Sequence, residues 1–277
     1  NSNEINKKSN ALAQTIDLGP TILDYFDIPL TEDMQGKKIF DFIEDDKEIR
    51  KASLYGVMGG QVNVTDGQYV YMRATTTKDN KPLYDYTLMP THMKNRFSPR
   101  ELQEWEKVEG FGFMKGCKVM QIPTRSFPIF SAKDNPLGRG RTATLLFDVK
   151  NDPGQTKPLN DVNIEKRMIE LMIREMARNE CPPEQYIRLG LPEPKRLGKG
   201  HGDDVIQIPS DKEIEDSCVL DKPQGIESAE HGAEGFPKMP FKDIFWEGEK
   251  TLRSTVFPDN LKLRPGYLIS QPEKSEE

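Results

Sequence analysis

The sequence predicts an α+β protein in which a small antiparallel sheet is packed by a C-terminal helix, with an extended C-terminal arm beyond it. Three observations predict this. Residues 54–74 alternate apolar and polar side chains on either side of Asp66-Gly67, as a β-hairpin does. Residues 161–178 carry apolar side chains at helical spacing. After Pro183 the periodicity fades into repeated Pro and Gly with mixed charge.

Taken in order, residues 1–10 are polar and expected to fray. The first ordered element is a helix, with Asp17 as N-cap and Pro20 tolerated in its first turn. Leu18, Ile22, Tyr25 and Phe26 share one face, and Pro29 lies beyond the end. Residues 41–51 are charged and read as a surface connection. In the hairpin, Val62 and Val64 alternate with Asn63 and Thr65, and Val70 and Met72 with Tyr69 and Tyr71. Asp66-Gly67 predicts a type I′ turn, which needs positive φ at both central residues. Gly59-Gly60 marks a bend or a close backbone approach.

A third strand runs from Leu83 to Met89. Ser98-Pro99-Arg100-Glu101 is a capping box that opens a short helix towards Lys107. Gly110 to Arg141 is rich in Gly, Pro and basic residues and reads as loop; Thr142 to Val149 alternates as a fourth strand. Asn151-Asp152-Pro153-Gly154 turns the chain. The helix from Asp161 to Arg178 then carries Ile164, Met168, Leu171, Met172 and Glu175 on one stripe, widened by Ile169, Ile173 and Met176. Asn179 and Pro182-Pro183 close it. Its apolar face must be buried, and the strands are the obvious partner. Beyond it, Phe241, Ile244, Phe245 and Trp246 form an apolar cluster suited to docking on a neighbour, and Glu273 to Glu277 read as disordered.

The composition excludes some classes. A formal net charge of -6 over 277 residues argues against a grip on nucleic-acid phosphates, yet leaves room for a local basic pocket that takes a small anion. No run approaches the roughly 18 apolar residues of a membrane span, so no membrane partner is expected. Asn1-Ser2-Asn3-Glu4 has neither the basic nor the apolar region of a signal peptide, and the compartment stays open. The missing initiator Met leads us to expect a processed chain or one cut from something longer. Cys117, Cys181 and Cys218 form no CxxC pair and read as idle thiols.

Three segments carry a family resemblance. The first is Gln14-Thr15-Ile16-Asp17-Leu18-Gly19-Pro20-Thr21-Ile22-Leu23, followed by Ile28-Pro29 and Gly36-Lys37. The second runs from Tyr55-Gly56 to Val64-Thr65-Asp66-Gly67-Gln68-Tyr69, and the third from Leu146-Phe147-Asp148 to Asp152-Pro153-Gly154-Gln155. In order and spacing they resemble the C-terminal half of sulfatases of the alkaline-phosphatase superfamily, over residues 11–178. Gln68 stands where that family usually has Arg, and Gln155 where it has Glu. The resemblance implies that residues 11–50 are the terminal piece of the sulfatase α/β domain, including its last helix. It implies that residues 51–180 are the C-terminal α+β subdomain; residues 181–277 are an arm or embellishment without a counterpart. Calcium and formylglycine would belong to the missing catalytic half, with no cofactor in this chain.

Hydrolysis of a sulfate ester needs a nucleophile, a cation and groups for the leaving oxygen. The family makes its nucleophile in C/S-x-P-x-R. Cys181-Pro182-Pro183-Glu184-Gln185 and Ser126-Phe127-Pro128-Ile129-Phe130 both lack the Arg, so no catalytic residue is assigned. Asp45-Asp46 and His201-Gly202-Asp203-Asp204 read as solvated loop rather than metal ligands. The candidate substrate contacts are Thr91, His92, Lys94 and Arg96 in the loop leaving the third strand, which present cations to an anion or simply form a basic surface loop. Lys115, with Lys118, and then Arg139 and Arg141, are weaker candidates.

Three functions follow as alternatives. The first is the C-terminal portion of a sulfatase, inactive alone, whose full-length enzyme takes a sulfated small molecule or glycan. The second is a non-catalytic interaction or oligomerisation module. The third is a related phosphonate or phosphate monoester hydrolase. The apolar face of the first helix would lack its sheet in this chain, so self-association is expected unless a partner chain or the arm covers it.

Overall fold

The computed structural model describes residues 9–32, 34–40, 48–77, 80–92, 95–124, 143–197 and 206–221. They form a mixed α+β structure of helices and small antiparallel sheets.

The first sheet follows the alternation of the sequence. Strands β1 (Ser53–Gly56), β2 (Val62–Thr65), β3 (Tyr69–Arg73) and β7 (Leu145–Asp148) pair antiparallel in the order β1-β2-β3-β7. Their register aligns Leu54, Val64, Tyr71 and Leu146 in one row across all four strands. Helix α2 (Val162–Arg178) lies over that row and buries Met168, Ile169, Met172, Ile173 and Met176 against it. Asp161 is its N-cap, accepting from the amides of Asn163 and Ile164, and Asn179 closes it. Each of those core side chains contributes roughly 1.5–3 kcal/mol by leaving water.

The hairpin between β2 and β3 differs from the expected type I′ turn. Asp66, Gly67 and Gln68 connect the strands, and only Gly67 has positive φ, at 88°. Asp66 holds the loop instead, its carboxylate accepting from the amides of Gln68 and Tyr69. Side-chain capping substitutes for the second left-handed residue.

Strands β4 (Tyr84–Thr87), β5 (Glu106–Val108) and β6 (Val119–Pro123) form a separate sheet in the order β4-β6-β5. The sequence reading placed no strand in residues 101–123. The capping box does form, with the Glu101 carboxylate accepting from the Ser98 amide and hydroxyl. It opens only a single 3-10 turn, Glu101–Glu104, after which Trp105 is extended. Pairing of Lys107 and Val108 with Met120 and Val119 wins over a helix reaching Lys107.

Residues 183–221 also differ from the extended arm expected there. Helix α3 (Pro183–Leu189), the hairpin β8 (Lys195–Arg196) with β9 (Ile206–Gln207), and helix α4 (Asp211–Asp216) fold onto the first sheet and α2. Tyr186, Leu189, Leu191, Ile214 and Cys218 belong to the main core. The apolar spacing is too short for a long amphipathic helix, so the signal was local capping: Pro at the start of α3, and a Ser210–Glu213 capping box before α4. Gly190 ends α3 at φ 60°, where a Cβ would lie 2.7 Å from Thr76 Cγ2. Gly190→Ala is therefore expected to cost about 1–2 kcal/mol in urea unfolding, from left-handed strain and the clash together. The cluster Phe241, Ile244, Phe245 and Trp246, and Glu273 to Glu277, lie outside the described residues.

At the other end, Thr15–Asp17 is a 3-10 turn that runs into α1 (Leu18–Tyr25). Asp17 does not cap α1 with its side chain. It is fully buried and clamped by Arg50, at 2.6 and 2.7 Å. No helix among the described residues is long and apolar enough to cross a membrane.

Candidate functional site

The loop after β4 is built by backbone pairing across its neck. Thr91 and Arg96 bridge antiparallel, the His92 amide donates to the Asn95 carbonyl at 2.7 Å, and the Phe97 amide to that of Pro90 at 3.0 Å. Thr91, His92 and Arg96 thus sit in one tight loop. Lys94 lies outside the described residues, as do Arg139 and Arg141.

The imidazole of His92 turns back onto this loop and its neighbour. Its Nε2 is 2.8 Å from Glu101 Oε1, and its ring lies 4.1 Å from that of buried Phe97. The Ser98 amide and hydroxyl, with His92, hold the Glu101 carboxyl down at about 2. Glu101 is therefore an anion at neutral pH, and it occupies the Nε2 side of the His92 ring. The exposed cation that remains described in the loop is Arg96.

Lys115 belongs to a different turn, after Gly112–Met114, where it adopts φ 53° and its amide donates to the Gly112 carbonyl. Its neighbour Lys118 pairs with Glu109 at 2.5 Å. Beside this turn, Phe111 stacks on Phe113 and packs edge-on against Tyr86. The Tyr86 hydroxyl donates to Glu184 and accepts from Gln121 Nε2. The second sheet is tied to the start of α3 by this contact.

Charged groups also lie in the core. Arg73 and Glu165 are buried with Tyr71 between them. Tyr71 donates to Glu165 at 2.9 Å and accepts from Arg73 at 2.9 Å. Arg73 also donates to the carbonyls of Leu189, Gly190 and Ser217, and Glu165 accepts from the amides of Val219 and Leu220. Burial and the facing carboxylate push the Tyr71 phenol far above its ordinary range, against the pull of Arg73. Arg188 is buried as well, reaching Gln185, Gly60 and Asn80. Desolvation lowers its guanidinium to about 10. These groups staple residues 188–190 and 217–220 to the sheet and α2, and the partners described for them are protein groups.

Of the two near-matches to the nucleophile motif, Cys181 lies among the described residues. Burial, with Glu184 nearby, pushes the Cys181 thiol up to about 12, so it is not a thiolate at neutral pH. Ser126, Asp45, Asp46, His201, Asp203 and Asp204 lie outside the described residues. Among the described residues, no group of three or more His, Cys, Asp or Glu side chains converges to hold a metal ion. Compared with known proteins, the chain matches no family model, and no curated protein is significantly similar to it.

Proposed function

We propose that this chain is the C-terminal portion of a sulfatase-type sulfuric ester hydrolase, contributing fold and substrate-side loops to a catalytic half that it does not contain. The observation that carries this reading is the meeting of two resembling segments. They are some 80 residues apart in sequence, yet β3 and β7 are paired, with Val70 opposite Phe147 and the Val149 amide donating to the Gln68 carbonyl. Asp66 and Asp148, one from each segment, both spend their carboxylates on turns at this same end of the sheet. Residues that resemble a family pattern thus do coherent structural work together, which supports reading both segments as parts of one α+β subdomain.

On this reading calcium and formylglycine belong to the other half, and the substrate is a sulfated small molecule or glycan met by the assembled enzyme. The loop of Thr91, His92, Lys94 and Arg96 is the substrate-side candidate, with Lys115 second. In the full-length enzyme, Arg96→Ala is expected to raise KM severalfold with kcat unchanged, as loss of uniform binding does; steady-state kinetics on an aryl sulfate reads this.

The test of the whole reading is the intact mass of the protein in its natural source, together with sulfate release. We expect a mass well above 31.6 kDa, calcium-dependent sulfate release from that species, and none from residues 1–277 alone. A mass near 31.6 kDa with no activity overturns it in favour of an interaction module. A larger species with an unmodified Ser or Thr nucleophile that cleaves phosphate or phosphonate esters favours the related hydrolases instead.

A further inference from the structure

Helix α1 is mounted with its apolar stripe outwards. Leu18, Ile22, Tyr25 and Phe26 recur on one face, flanked by Ile16 and Ile28, and all six are between 49% and 63% exposed. The polar face fixes the helix in place. Thr21 Oγ1 donates to the Asp17 carbonyl at 2.5 Å and accepts from the Ile39 amide at 2.9 Å. Asp24 pairs with Lys38 at 2.5 Å. At the helix start, Asp17 accepts from the Gln14 and Lys37 amides as well as from Arg50. Rotating α1 to bury its stripe would break the contacts to Lys37, Lys38, Ile39 and Arg50, so these hold the stripe outwards.

We propose that in the 277-residue chain this stripe is a self-association surface, on which the α1 stripe of a second copy seats about a two-fold axis. The area fits. The six side chains leave on the order of 700 Å² accessible, close to the roughly 800 Å² that each partner contributes to a standard stable interface. The chemistry fits too: the stripe carries no charge, so it is complementary to itself, and closed two-fold pairing is the commonest use of such a patch. The proposal rests on the exposure of α1 and not on the hydrolase reading.

Sedimentation velocity on the purified 277-residue chain tests it. We expect a mass of twice 31.6 kDa at high micromolar concentration, dissociating on dilution. Because each copy carries a net charge of -6, raising salt from about 0.05 to 0.5 M is expected to tighten the dimer severalfold by screening repulsion. Ile22→Asp is expected to weaken association at least tenfold. Ile187→Asp, on the exposed side of α3, is expected to leave it unchanged, with far-UV circular dichroism confirming that both variants fold. Ile22→Ser provides the same reading at a smaller perturbation if the aspartate variant unfolds. A wild-type monomer at every concentration overturns the proposal, as does a dimer that survives Ile22→Asp or Ile22→Ser in a folded protein. Open-ended growth beyond the dimer also overturns it, since the two-fold pairing closes. None of these outcomes alters the sulfate-release test, so the two proposals fail separately.

Discussion

Glu165→Ala is expected to destabilise the protein by about 3–5 kcal/mol, the range for breaking a buried charge pair by removing one partner. Glu165 is fully buried in the first turn of α2. Alanine leaves the Tyr71 hydroxyl and the amides of Val219 and Leu220 without their acceptor. It also leaves the Arg73 guanidinium, 3.8 Å away, buried without its carboxylate. Glu165→Gln keeps one acceptor oxygen and the shape, so it should lose less. Urea unfolding reads both, as a fall in midpoint. Because the lost contacts reach residues 217–220, their amides should also exchange faster in the variant. An unchanged midpoint for Glu165→Ala would show that the network does not hold the chain after α4 to the sheet.

The second large effect is at Asp17. Burial alone would raise its carboxyl, but the Arg50 guanidinium and the amides of Lys37 and Gln14 hold it at about 2, against an ordinary value of 3.8. The folded value is the depressed one. The resulting stabilisation is therefore complete above about pH 4, where the unfolded chain is also ionised, and is lost as pH falls from there through 2. It amounts to about 2 kcal/mol, since one unit is about 1.4 kcal/mol. Unfolding midpoints measured from pH 7 down to 2 should show this acid limb in the wild type and a flatter one in Asp17→Asn. At neutral pH, Asp17→Ala should cost about 3 kcal/mol or more, because Arg50, itself only 9% exposed, loses its partner. Hydrogen exchange should place the first loosening in α1, whose start this clamp fixes.

How much of this was legible in the sequence depends on how local the signal was. The alternation around Asp66-Gly67, the stripe of α2 and its closure at Asn179 are patterns within one element, and they read through to β2, β3 and α2. The class, α+β, followed from them. The strands β5 and β6 did not, because three to five residues such as Glu106–Val108 have no period to detect until β6 pairs with them. Helices α3 and α4 were hidden for a similar reason: Tyr186, Leu189 and Ile214 are isolated apolar residues whose burial depends on α2. Charge misled most. Arg73 looks like the polar end of a strand, yet its acceptors are carbonyls 116 to 144 residues away. At the candidate site, the cations of the loop after β4 were visible, but the Glu101 carboxylate that meets His92 was assigned only to a capping box. It does both jobs at once.

The long reach of Arg73 also has a meaning for how the protein is made. Strand β3 leaves the ribosome well before its last partner, Ser217, which lies 144 residues further on. At roughly 5–20 residues per second, that interval is on the order of 10–30 s. Strand β7 follows about halfway through that interval and α2 after it, but until Ser217 emerges the Arg73 guanidinium lacks its full set of acceptors. The nascent chain is then open to chaperones and proteases, and a ribosome stalled anywhere before residue 217 releases a product that cannot close its own core.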